Sequence, residues 1–191
     1  DLERDKAKVD QERSEKVSKF MAKVLSYANP AWYAEGARFG GDARVMDAML
    51  DLADKIDTEF EGHADIQAEL HHQFAEVFLM AGKPWHQRDP VRAKQMDERH
   101  ATHALRALEL RKAFYGDYHE LVAKDLFYSG GLIGKTDDEH ARLLYDAIDM
   151  MRNTNRLNLN LPYMFEAYSA YLLFSKRPDT ADVYLRVAAL E

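Results

Sequence analysis

The sequence predicts an all-α fold, with antiparallel helix pairs stacked as an α-solenoid of about eight helices behind a long N-terminal helix. Three observations carry that prediction. Apolar residues recur at three- and four-residue spacing along most of the chain, and no segment alternates as a strand would. The stretch Ala101–Ala123 reads as a helix end, a tight corner and a helix start. There Ala104, Leu105, Leu108 and Ala113 stand at helical spacing among small alanines, which let a second helix approach closely, and Gly116 supplies the break. A helix that is small and apolar on one face, a short corner and a second helix is the unit of a helical repeat. Third, 191 residues that are 47% hydrophobic and 31% charged can fold around a proper core.

Residues 1–16 are dense in charge of both signs, with only Leu2 and Val9 as large apolar residues. They read as a solvated connector helix, or as a weak coiled-coil stalk through which two copies would pair as a homodimer. Residues 17–191 then form a single helical domain. Its leader helices occupy 17–60, and its repeat helices occupy 65–135 and 136–191. Val17, Phe20, Met21, Val24 and Leu25 give the first helix a face to bury, and Asn29-Pro30 ends it. Trp32, Tyr33, Phe39 and Gly40-Gly41 mark an aromatic loop. Val45 to Phe60 reads as one helix, with Val45, Met49, Leu52, Ala53 and Ile56 on one face and Gly62 ending it. Asp65 to Ala81 is the next, with Ile66, Leu70, Phe74, Val77 and Phe78 inward.

Pro84 to Arg99 is longer than a repeat corner requires. It is expected to be a loop carrying Trp85, closed by Asp89-Pro90, with Pro90 in the first turn of a helix that runs to Tyr115. A further helix runs from His119 to Ile133 and ends at Gly134. Gly130-Gly131 lacks the preceding strand of a phosphate loop, so close helix packing is its expected role. Thr136, with Glu139 three residues on, opens the next helix as a capping box, and its apolar face carries Ala141, Leu144, Tyr145, Ile148 and Met151. Residues 153–161 form a polar linker. The last pair spans Pro162–Phe174 and Asp179–Leu190.

The phrases AELHHQFAEVFLMAGK (68–83) and HALRALELRKAFYGDYHELVAKDL (103–126) resemble tetratricopeptide repeats, with a corner like that of kinesin light chains. The phrase KFMAKVLSYANP and the segment VMDAMLDLADKIDTEF that follows it resemble the leader before such repeats in bacterial transmembrane serine/threonine kinases and related helix-turn-helix regulators. The resemblance covers roughly residues 15 to 135. Residues 84–99, Ser129-Gly130-Gly131 and 153–161 depart from the pattern. It implies a C-terminal sensor or interaction segment of a larger bacterial signalling protein, extracytoplasmic in the kinase versions and otherwise cytoplasmic. The chain begins at Asp1 without Met, so an upstream region is expected, and a membrane would be reached only through it. No kinase motif is present in the chain.

The net charge of −7 and the scattered basic residues argue against nucleic acid as a partner. With no Cys, disulfides and thiolate metal sites are excluded. Tyr163–Phe174, the longest apolar stretch, is too short to span a bilayer. No nucleophile elbow, P-loop or dinucleotide fingerprint occurs, so no catalytic residue and no cofactor is assigned. Glu69-Leu70-His71-His72 contains one E-x-x-H, which places Glu69 and His72 on one helix face as in di-iron bundles. Such a bundle needs two, and the D-x-x-H echoes at Asp97–His100 and Asp137–His140 sit where helix starts recruit acids anyway.

In a stack of helix pairs, the first helix of each pair lines the concave face. That face is predicted to carry Glu69, His72, Glu76 and Leu79 from the first pair, Lys124 and Phe127 from the second, and Tyr163 and Glu166 from the third. A mixed polar and aromatic stripe of this kind suits an extended peptide or a loop of a protein partner. Trp85 is a candidate anchor in the inserted loop. The competing expectations are a small ligand held near the insertion and the Gly-rich helix, and a helical metal protein using Glu69 and His72.

Overall fold

The computed structural model describes residues 11, 14–20, 45–82, 89–134, 136–155 and 157–174. These residues are helical with short connections, and no strand occurs among them. A first helical segment, α1, covers 14–20. It is followed by α2 (Val45–Ala53), α3 (Ile56–Glu59), α4 (Ala64–Gly82), α5 (Pro90–Tyr115), α6 (Glu120–Ile133), α7 (Asp137–Thr154) and α8 (Leu161–Phe174). The aromatic loop at 30–43, Trp85 and the helix expected at 179–190 lie outside the described residues, as does most of the connector at 1–16.

Two compact units divide the chain, one of Asp1–Phe74 and one of Ala75–Glu191, with the division inside α4. In the first unit Phe20 packs edge-on against Phe60 and Phe74, over the buried Leu52, Ala53, Ile56 and Ile66. The helix expected over 45–60 is interrupted at Asp54-Lys55. There the Lys55 amide bonds to the Leu52 carbonyl, three residues back, and a new short helix begins at Ile56. Leu52, Ile56 and Phe60, at four-residue spacing across the break, are all buried. Without a Gly or Pro at the break, spacing alone does not reveal it. Gly62, at φ +81°, makes the corner before α4.

In the second unit α5 packs on α6, α6 on α7 and α7 on α8. The Asp89 side chain accepts from the Arg92 amide and Pro90 occupies the first turn of α5, as the sequence predicts. The stripe that α5 buries differs from the predicted one. Leu105 and Ala113 are exposed, whereas His100, His103 and Arg111 are buried with Ala104, Ala107 and Leu108. Gly116, at φ +81°, forms the corner to α6, and the His119 ring caps α6 by accepting from the Leu121 amide while stacking on Tyr115.

Arg111 and Asp125 hold α5 to α6. Each is 1% exposed, and Arg111 Nη1 donates to Asp125 Oδ1 at 2.8 Å and to the Leu121 carbonyl at 3.3 Å. A charge removed from water in this way is tolerable only with a partner at hydrogen-bond distance. Thr136 accepts from the Glu139 amide and opens α7. The core of this unit runs from Leu108 through Val122, Leu126 and Phe127 of α6 and Leu144, Ile148 and Met151 of α7 to Leu161, Met164, Phe165 and Leu172 of α8. Tyr145, predicted to point inward, is exposed.

Close packing is what the glycines of α6 provide. A Cβ at Gly131 would stand 3.1 Å from Cε1 of His140, and one at Gly130 would stand 3.3 Å from Leu144. The linker at 155–160 is fastened to the start of α6, because the Asn155 and Asn158 side-chain amides both donate to Glu120 Oε2. The Asn158 side-chain oxygen Oδ1 in turn accepts from the backbone amide of Asn160.

Candidate functional site

In the second unit, α4, α6 and α8 each contribute to one polar and aromatic cluster. Tyr128 of α6 donates a side-chain hydrogen bond to Glu76 of α4. Burial, then the Glu76 bond and charge, then the nearby Tyr163 push the Tyr128 phenol well above its ordinary range, so it remains a donor. Tyr163 of α8 meets the Phe127 ring edge-on at 6.4 Å and is 51% exposed. Lys124 lies one helical turn before Tyr128, and the exposed Glu166 lies one turn after Tyr163. The Tyr128–Glu76 hydrogen bond and the Phe127–Tyr163 ring contact form the cluster, and Lys124 and Glu166 are neighbours of it along α6 and α8. The arrangement can offer hydrogen bonds of both polarities and one apolar contact.

The predicted stripe divides when mapped onto the structure. Glu76, Phe127 and Tyr163 come together, with Lys124 at the margin. Phe127 is 8% exposed and belongs to the core, so it supports Tyr163 from beneath and does not line a surface. His72 is 2% exposed and is likewise interior. Glu69 is exposed and accepts from the Gln73 side chain at 2.9 Å. Both belong to the other unit, and Leu79 is half-buried. Tyr128 was missed by the sequence reading. Its signal was its position next to Phe127 and four residues after Lys124, which puts it on the Lys124 face of the helix.

The E-x-x-H pair separates into a buried imidazole and a surface carboxylate. Among the described residues no three His, Cys, Asp or Glu side chains gather as they would around a metal. None of the described helices is long and apolar enough to cross a membrane.

His140 forms a second polar feature, between α6 and α8. Its ring faces the backbone of Gly131 and tilts against Tyr171, with centroids 4.3 Å apart, while the Tyr171 hydroxyl donates to the Asp137 carbonyl. Burial lowers the His140 pKa below the ordinary imidazole value, and Asp137 opposes the shift only in part. The unfolded chain therefore takes up this proton first as pH falls. The penalty begins near the unfolded value and is complete once pH is below the folded one. Urea midpoints between about pH 7.5 and 5 are expected to fall less for His140→Gln than for the unaltered chain. Parallel curves would show that this ring does not contribute to acid sensitivity.

No family model matches the chain, and no curated protein or solved structure matches it either.

Proposed function

We propose that this chain is a non-catalytic interaction or sensor segment of a larger bacterial signalling protein, which presents a preformed helical surface to a peptide or protein loop. The observation that carries the reading is the meeting of Glu76, Tyr128 and Tyr163, contributed by every second helix, α4, α6 and α8. Stacked helix pairs bring alternate helices to one face, as a tetratricopeptide-like solenoid does. The resemblance of residues 68–83 and 103–126 to such repeats supports the same arrangement, and the leader-like residues 19–60 support a kinase- or regulator-associated, extracytoplasmic setting.

Within this reading Tyr163 is the anchor. It is large, half-exposed and held from below by Phe127, which limits the conformational entropy it loses on binding. Lys124 and Glu166 set the polarity of the ligand, while Tyr128 and Glu76 satisfy each other and rigidify the surface.

Selection of a displayed random-peptide library against the chain is expected to enrich a defined motif. Tyr163→Ala should weaken the selected peptide by about 30-fold, the equivalent of a ~2 kcal/mol anchor, with an unchanged helical signature. Lys124→Glu should alter the charge of the peptides selected. Failure to enrich any motif, or equal affinity for the Tyr163 variant, would remove the surface from consideration. Recovery of the coding sequence upstream of Asp1 tests the larger assignment, which requires a kinase or regulator module there.

A further inference from the structure

The cap of α6 works only while its histidine is uncharged. His119 Nδ1 accepts from the Leu121 backbone amide at 3.2 Å. A backbone N–H can only donate, so this nitrogen carries no proton and the ring proton sits on Nε2. The ring lies flat on Tyr115, with centroids 4.2 Å apart and planes 16° from parallel, which holds it at the amide. A second proton has to go on Nδ1. An imidazolium has an N–H on both nitrogens and no acceptor, so no rotation of the charged ring restores the bond. The charged ring also stands at the positive end of the α6 dipole, which disfavours it there.

The turn that this cap closes also secures the linker between α7 and α8. Glu120, the first residue of α6, takes hydrogen bonds from the side-chain amides of Asn155 and Asn158 at one carboxylate oxygen. That linker bears Leu157 and Leu159, both turned to solvent. Cap and fastening are thus adjacent residues of one turn, and a loss of order at the first reaches the second directly.

The elements that meet at this corner carry charges of both signs. Arg111 of α5 is paired with Asp125 of α6, and Lys112 of α5 lies 3.6 Å from Asp117. Glu120 on α6 favours a positive neighbour, and Arg152 in the last turn of α7 opposes one. Tyr115 and Tyr118 add phenol groups.

We propose that His119 is an acid-sensitive latch on the start of α6. As pH falls through the range in which imidazoles take up a proton, the ring lets go of the Leu121 amide, the first turn of α6 opens, and Glu120 releases Asn155 and Asn158. Order at this corner is complete above that range and is lost below it. The latch is separate from His140, which lies against Gly131 at the other end of α6, and it does not depend on the peptide-binding reading.

NMR of the chain between about pH 7.5 and 5 tests this. Protection of the Leu121 amide against exchange, corrected for the intrinsic pH dependence, is expected to fall about fivefold, the usual effect of losing an N-cap side chain. The side-chain amide signals of Asn155 and Asn158 should move with the same midpoint as the His119 ring protons. His119→Asn caps without taking up a proton, so its Leu121 protection and its linker signals should hold steady over the range, with His140 and Glu120 both still present. His119→Ala should give low protection at both ends. An acid response that persists in the Asn variant, a Leu121 amide indifferent to the charge on the ring, or asparagine signals that do not follow it would each overturn the proposal.

Discussion

Arg111→Ala is expected to cost about 3–5 kcal/mol, because it leaves the Asp125 carboxylate charged in a site closed to water. Asp125→Ala should cost a similar amount by stranding the guanidinium. Domains of ordinary stability have only about 5–15 kcal/mol in total, so either change removes a large fraction. The pair as a whole is a different matter. The attraction between two buried ions roughly offsets the cost of dehydrating them, so Arg111→Met with Asp125→Leu should recover most of the loss. Urea unfolding followed by circular dichroism distinguishes these cases. Equal destabilisation by the single and double changes would mean that packing, and not charge, holds α5 to α6.

Phe127→Ala should cost about 3–5 kcal/mol as well, by opening a cavity among Leu126, Leu144 and Met164 and their neighbours. Tyr163→Ala, on the other side of the same ring contact, should cost far less because half of that side chain already meets solvent. The contrast separates support from surface. If both variants unfold at the midpoint of the unaltered chain, the core assignment of Phe127 fails.

Phe127 also shows what the sequence could and could not convey. Apolar spacing, Pro90, Gly116 and the Thr136–Glu139 box located α4 to α8 closely, since these are local effects of backbone geometry and capping. Which side of a helix faces inward depends on neighbours distant in the chain. Phe127 and Tyr163 were both read as groove residues, yet one is core and the other surface. On α5, counting apolar side chains favoured Leu105, whereas Arg111, His100 and His103 are buried instead. Arg111 shows why: an inward arginine is acceptable only because Asp125, fourteen residues later, meets it. The Glu76–Tyr128 bond was hidden for the same reason. The break at Asp54-Lys55 was invisible because the residues on either side keep helical spacing.

The order in which α5 to α8 touch one another bears on how the second unit reaches its native state. Each helix meets the one that follows it in the chain, so most of the search involves short loops whose closure costs little entropy. The polar ties from Glu120 to Asn155 and Asn158 span fewer than forty residues. Such a topology has low contact order and belongs with fast folders. Pairing can begin at the glycine-lined junction of α6 and α7 and spread in both directions. The leucine-bearing linker is then secured once α6 and α7 have paired, because its anchor, Glu120, stands at the start of α6.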